Sequence, residues 1–356
     1  MFKVPKRQIS EFRKDLVSGD WILIAPERRK RLQLINKEKN AKKLSRDEAG
    51  QSRELANCPF EDPQKSGNPP PILWYPHPDT PLKERKNISS WFVQALPNKY
   101  PLLSLPFGKT CAAVKSFGPQ KTLKGTGFHE VIITRDHFKT IDKMDIKEVE
   151  ILLKVYQVRY QTLASEPCVN YILIYHNQGI LAGASLSHPH SQLVALPVVD
   201  PDISSSLTGS TEYFIKHKKC IHCDMLEWEL KQKERIVYKN KYFATIVPFA
   251  PRVSYETRIY PLEHAAHFEE ISDEKRLLLA ESLCDALKRL VKVLNGCDYN
   301  FFIHSAPIGL KDKNHYHWHI EILPRSSAWA GLELGVGIEV VVVPPEESAR
   351  NLRKAG

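Results

Sequence analysis

His188, His190 and Gln192 occupy alternate positions in SHPHSQLVALP, residues 187–197. An extended strand puts residues two apart on one face, and Pro189 holds the backbone extended between the two imidazoles. Three polar groups then project together. A neutral imidazole is a competent nucleophile near pH 7 without prior deprotonation. Attack on phosphorus would give a covalent nucleotidyl-histidine and split one displacement into two easier ones. That chemistry needs a fixed tautomer, supplied by a partner on the other ring nitrogen, and donors aimed at the non-bridging oxygens. Gln192 offers two amide N–H bonds and no charge. Ser185 and the backbone of GILAGAS, residues 179–185, could cradle phosphate, because glycine permits close approach. Arg28 and Arg31 could bind a diphosphate. Each feature also has a plainer reading: a polar strand edge for the two histidines, solvated charges for arginines in a basic run.

The elements that must position these residues emerge from an internal repeat. NHYHWHIEILP (314–324) echoes SHPHSQLVALP, matching His188, His190, Gln192 and Pro197 to His315, His317, His319 and Pro324 at a displacement of 127. His176 matches His304 at 128, and the His-Phe pairs at 137 and 267 match at 130. Each half carries one long helical pattern. The first runs over about residues 145–163, with Ile146, Val149, Leu153, Tyr156, Tyr160 and Leu163 on one face. The second follows the N-cap Ser272 and stops at Gly296. Strands are expected at 130–134, 170–176 and 191–196, and at 255–260, 300–304 and 317–323. The order predicts an α+β fold with antiparallel sheets and helices packed on one face, in two halves, 1–199 and 212–356. Residues 200–211 (DPDISSSLTGST) read as linker, the tract 68–81 (NPPPILWYPHPDTP) as an extended loop, and the basic stretch 28–46 as loop.

At 356 residues the chain can hold two such halves. No run of apolar residues long enough to span a bilayer occurs, and the N-terminus lacks the apolar core of a signal peptide. The seven cysteines are scattered apart from Cys220-x-x-Cys223, which fits a reducing, cytoplasmic setting with a metal site better than a disulfide framework. The net charge of +10 implies anionic partners. Cys58 and Cys220 open the two halves, and the second position of the CxxC knuckle is Glu61 in the first half. Oxygen in place of sulfur weakens a structural zinc site.

Taken together, SHPHSQ and HYHWHIEILP resemble the histidine-triad superfamily. The duplicated arrangement resembles its galactose-1-phosphate uridylyltransferase branch, which also holds the closely similar ADP-glucose phosphorylases. The likeness runs from DLVSGDWILIAPERRKR at Asp15 through NCPF, LPNKYP, GFHEVIIT and KCIHCD to AGLELGVGIEVVVVPPEE. The resemblance implies that His190 is the nucleophile and Gln192 a phosphate donor. It further implies substrate contacts at Arg28, Arg31, Asn98, Asn177, Ser185 and Gly335. It implies one metal site on Cys58, Glu61, His129 and His188, and a second on Cys220, Cys223, His264 and His317. Zinc is expected in the second, and weaker zinc or another divalent metal in the first. The function expected is a ping-pong nucleotidyltransferase using UDP-glucose and galactose 1-phosphate. The alternative is an ADP-glucose phosphorylase with inorganic phosphate as acceptor. A rival from another class is a non-catalytic nucleotide- or RNA-binding protein working through the basic N-terminal stretch. The partners expected are a nucleotide sugar and a sugar 1-phosphate, with no membrane or nucleic acid and a homodimer as the default assembly.

Overall fold

The computed structural model of the chain describes residues 9–29, 55–106, 111–310, 313–327 and 329–356. Arg31 and most of the basic stretch lie outside the described residues. Fifteen strands are described: β1 (Glu11–Lys14), β2 (Trp21–Ile24), β3 (Leu73–Pro76), β4 (Trp91–Pro97), β5 (Lys115–Phe117), β6 (Gln120–Thr122), β7 (Phe128–Thr134), β8 (Tyr171–Gln178), β9 (His190–Leu196), β10 (Ile236–Lys239), β11 (Phe243–Ile246), β12 (Thr257–Pro261), β13 (Tyr299–His304), β14 (His319–Pro324) and β15 (Val340–Val341).

Ten of them form one antiparallel sheet in the order β10-β11-β12-β14-β13-β8-β9-β7-β4-β3. Each repeat contributes five strands, and the two sets meet where β8 pairs antiparallel with β13. Tyr175 lies opposite Phe302 at this seam. Tyr175 is also opposite Gln192, and Phe302 is opposite Glu321. A pseudo-dyad therefore passes through the Tyr175–Phe302 pair. The expected α+β fold with antiparallel pairing is what the structure has, with the two sheets merged into one. The expectation that the helices share one face is corrected, because Ile203 and Leu226 pack against Tyr171, Leu173, Ala244 and Ile246, strand positions that alternate with those facing the two long helices.

Helices α1 (Ile146–Ala164), α2 (Pro201–His217), α3 (Ile221–Gln232), α4 (Asp273–Val293), α5 (Gly331–Val336) and α6 (Pro345–Ala355) are also described. Asp145 and Glu148 close a capping box on α1, and Ser272 accepts from the Lys275 N–H to start α4. These two long helices pack on each other and on the sheet. Val149, Leu153, Tyr156, Tyr160 and Leu163 of α1 join Leu279, Leu283, Leu287 and Leu290 of α4 in a single core. Ile146, placed on the buried face by its period, is instead exposed at the first turn.

Three further expectations are corrected. The Ser/Thr-rich stretch after Asp200 is not a linker but α2, started by the Asp200 carboxylate accepting from the Ile203 N–H, with Pro201 in the first turn. A Cβ at Gly209 would sit 2.1 Å from the Val17 carbonyl oxygen, so the glycine is there for close approach. The proline tract holds β3, an edge strand, where proline loses no ladder bond. A disulfide joins Cys111 to Cys168, 57 residues apart, a pairing that spacing cannot disclose. The N-terminal strands pair with each other, and β2 runs parallel to β15 near the C-terminus. Among the described residues no helix is long and apolar enough to cross a membrane.

Candidate functional site

Strand β9 separates its side chains as its alternation requires. Ser191 points into the helix layer, where its Oγ bonds the Tyr156 hydroxyl and lies 2.9 Å from His176 Nδ1. His190 and Gln192 project from the opposite face. His190 is buried, with 6 % of its surface exposed, and its Nδ1 lies 2.9 Å from the His188 carbonyl oxygen. A carbonyl only accepts, so Nδ1 carries the proton and the lone pair sits on Nε2. Burial pushes the His190 pKa below its ordinary value, which keeps the ring neutral. The ring of Phe60 stands edge-on to both His190 and His188, at centroid distances of 5.4 and 5.8 Å.

Gln192 receives two hydrogen bonds on Oε1, from His129 Nε2 at 2.8 Å and the Tyr175 hydroxyl at 2.9 Å. Its neighbours on β8 lead to the loop at 179–185. His176 pairs with Ser191, so Asn177 follows beside His190 on the shared face. Asn300, opposite Asn177 across the seam, donates to Asn177 Oδ1 at 2.6 Å and to the Ala182 carbonyl at 2.8 Å. Arg325 Nε donates to Asn300 Oδ1 at 2.6 Å. The Asp298 carboxylate accepts from the Leu181 N–H at 2.7 Å, and a Cβ on Gly179 would come within 2.2 Å of that carboxylate. Second-half residues thus hold the loop beside the first-half histidine.

Ser185 is exposed at the end of this loop, and Asn98 is half-buried beside His129. Arg28 is exposed in the turn after β2, away from β9 in sequence and sheet, and Gly335 is exposed on α5. The structure therefore gathers His190, Gln192, Asn177 and Asn98 around one strand. Arg28 and Gly335 lie on separate elements.

Two groups of side chains could each hold a metal ion, their donor atoms all within 4.8 Å of one another. In the second half these are Cys220, Cys223, His264 and His317, as expected from sequence. Cys223 Sγ lies 3.3 Å from His264 Nδ1 and 3.4 Å from His317 Nδ1, close to the edges of a tetrahedron with bonds of about 2.0–2.3 Å. His264 Nε2 donates to the Lys313 carbonyl at 2.9 Å, which turns Nδ1 toward the cluster. The first-half group is Cys58, Glu61, His137 and His188. Cys58 Sγ is 3.5 Å and Glu61 Oε1 3.4 Å from His188 Nδ1, while His188 Nε2 donates to the Thr134 carbonyl at 2.7 Å.

His129 is not in that group, and this corrects the reading from sequence. It stands at the start of β7, whereas the knuckle lies past Thr134 at the other end, roughly 17 Å along the strand. His137 takes the place and lies 2.8 Å from Glu61 Oε1. The repeat marker that matched His137-Phe138 to His267-Phe268 is shifted as well. The metal group pairs His137 with His264 instead.

The clusters also reset the repeat by two residues. His188 corresponds to His317, His190 to His319 and Gln192 to Glu321, a displacement of 129 rather than 127. Strand register likewise gives His304, which is opposite His319, as the counterpart of Asn177 rather than of His176. A run of HxHxH matches HxH in either of two frames, and only the metal group chooses between them.

Comparison with known proteins agrees with this architecture. The family model for the N-terminal domain of galactose-1-phosphate uridyl transferase matches residues 113–200, and the C-terminal domain model matches residues 207–342. The chain is 32% identical over 353 residues to an ADP-glucose phosphorylase of Arabidopsis thaliana, covering 98% of this chain and 94% of that one. It is 32% identical over 266 residues to a galactose-1-phosphate uridylyltransferase of Thermotoga maritima, covering 72% and 82%. Among solved structures, the Arabidopsis ADP-glucose phosphorylase with bound ADP-glucose superposes with a TM-score of 0.78 at 29% identity, covering 98% of this chain and 99% of that one. A uridylyltransferase structure gives 0.70 at 26% identity, covering 98% of both. The chain belongs to the galactose-1-phosphate uridylyltransferase family.

Proposed function

We propose that this chain is a nucleotidyltransferase that works through a nucleotidyl-histidine on His190, with UDP-glucose and galactose 1-phosphate as substrates. One observation carries the reading: a buried neutral imidazole with Nδ1–H bonded to a carbonyl and Nε2 presented beside an uncharged amide donor. The Nε2 lone pair attacks the α-phosphorus of the nucleotide sugar. The N–P bond forms as the bond to the bridging oxygen breaks, and sugar 1-phosphate leaves with that electron pair. The substituted ring is cationic, and the His188 carbonyl faces the N–H that carries part of the charge. A phosphate oxygen of the second sugar phosphate then attacks the same phosphorus and restores neutral His190. Gln192 and Asn177 donate to the non-bridging oxygens in both steps.

The two side-chain groups suit zinc, the first less well because it offers one thiolate where the second offers two. A bound ion would supply no reactive group here. It would anchor His188 and the knuckle that carries Phe60, and so hold His190 in place. The homodimer expected from the sequence is carried forward as part of this reading, and the particle mass in solution checks it.

A second reading, ADP-glucose phosphorylase with inorganic phosphate as acceptor, is favoured by the match to the Arabidopsis enzyme over nearly the whole of both chains. Incubation of the protein separately with UDP-glucose and ADP-glucose, followed by intact-chain mass, distinguishes the two. A UMP adduct supports the first and an AMP adduct the second. No adduct with either would overturn the nucleotidyl-histidine and leave the non-catalytic reading.

A further inference from the structure

An amide has a nearly isosteric oxygen and nitrogen, so packing alone does not decide which end faces a ligand. For Gln192 the choice is decisive, because only its N–H bonds can stabilise charge developing on a phosphoryl group. We infer that His129 and Tyr175 are positioning residues that lock the Gln192 amide with its nitrogen toward the phosphoryl site. This inference rests on the reading of His190 and Gln192 given above.

The chain of constraints begins at a backbone amide. The Leu102 N–H donates to His129 Nδ1 at 3.1 Å. A backbone N–H can only donate, so Nδ1 holds the ring's lone pair and the proton of the neutral ring sits on Nε2. Burial lowers the His129 pKa and so favours that neutral form. His129 Nε2 therefore donates to Gln192 Oε1 at 2.8 Å, and the Tyr175 hydroxyl donates to the same oxygen at 2.9 Å. Asn98 Nδ2 lies 3.1 Å from His129 Nε2, but Asn98 Oδ1 already accepts from the Tyr100 N–H, and two donors do not bond each other. Both lone pairs of Gln192 Oε1 are then filled. The Gln192 amide nitrogen has no protein acceptor among the described residues. A flipped amide would set its NH₂ against the His129 N–H and lose that hydrogen bond. The Tyr175 hydroxyl, which can donate or accept, holds the amide in place while His129 chooses its end.

The second half supplies an internal control. The strand registers place Glu256 at the position of His129, Phe302 at that of Tyr175 and Glu321 at that of Gln192. Where the amide is absent, both of its donors are absent too. Three positions on three strands have changed together, which is what a functional unit predicts and independent packing residues do not.

The test uses the full chain and whichever of UDP-glucose and ADP-glucose forms the adduct, with the rate of adduct formation followed by rapid quench. The His129→Leu/Tyr175→Phe double variant should slow the step about 10²-fold, as for loss of one preorganised donor, with the fall in kcat rather than a rise in KM. His129→Gln, whose amide nitrogen reaches the place of Nε2, should recover most of that loss and guards against a folding defect. In a Gln192→Ala background the double substitution should cost nothing further, because the group it positions is gone. A full additional loss in that background, or no loss from the double variant in the wild type, overturns the inference while leaving the His190 mechanism standing. A Gln192→Ala chain with unchanged rate would remove Gln192 from the mechanism and this inference with it.

Discussion

Strands β9 and β14 use one backbone device and come to different ends. In each, a histidine two residues before the second holds a metal position, and its carbonyl faces Nδ1 of the next, at 2.9 Å for His190 and 3.2 Å for His319. What differs is the surroundings. His190 stands beside Gln192 and Asn177, both neutral amides. His319 stands beside Glu321 and His304, which are 3.1 Å apart. Glu321 is also paired with Arg252 and lies 3.1 Å from Arg258. Arg258 is in turn paired with Glu256, whose pKa burial raises to about 7. Both arginines face carboxylates, and a carboxylate in the donor position repels a phosphoryl oxygen. On the mechanism proposed for His190, a clasped imidazole is not enough to make a nucleophilic site. The neighbouring positions must be uncharged donors with their acceptors already occupied.

The comparison breaks most sharply at the two histidines. His190→Ala should abolish adduct formation, with turnover down by roughly 10⁴-fold or more, as when other nucleophiles are removed, whereas His319→Ala should leave adduct formation near the wild-type rate. Intact-chain mass reads the first and steady-state kinetics the second. An adduct that persists in His190→Ala and vanishes in His319→Ala would reverse the roles argued for the two halves.

Next in size is the donor. Gln192→Ala should lower kcat by roughly 10²–10³-fold. Gln192→Glu, which copies the second half, should lose at least as much, because it adds repulsion to the loss of a donor. A Gln192→Glu chain more active than Gln192→Ala would show that the charge at this position is not what separates the halves.

The metal groups give a smaller and slower contrast. Two thiolates and two imidazoles in the second half should retain zinc through a mild chelator, while Glu61 leaves the first-half site weaker and open to other divalent ions. Glu61→Cys should raise retention there about tenfold or more, within the range that a change of ligand shell produces. Metal analysis of wild-type, Glu61→Cys and Cys220→Ser chains after dialysis measures this. Two ions held equally tightly would erase the inequality.

The smallest expected effect lies at the seam. Asn300→Ala removes the donor to Asn177 Oδ1 and to the Ala182 carbonyl. A hydrogen bond is worth about 1 kcal/mol net, so kcat/KM should fall about fivefold to tenfold, while thermal unfolding shows whether the seam itself has weakened.

The sequence by itself determined a great deal. Alternation put His190 and Gln192 on one face of a strand, the repeat announced two equivalent halves, the CxxC spacing gave Cys220 and Cys223 as a metal knuckle, and the family resemblance supplied His264 and His317. Capping residues started α1 and α4 where they begin. These features are local or periodic, so they survive in one dimension. Tertiary structure alone decided the rest. Whether His129 or His137 joins Cys58 depends on which end of β7 meets the knuckle, and residue spacing does not carry that information. The frame of the repeat hung on an HxHxH string that fits two ways until the metal group is assembled. The close approach of Gly209 to the Val17 carbonyl oxygen is a contact far off in the chain that the 200–211 stretch does not announce. The lock on Gln192 joins a loop amide, a residue of β7 and a residue of β8. Each makes an unremarkable hydrogen bond, and only the fold makes them converge on one oxygen.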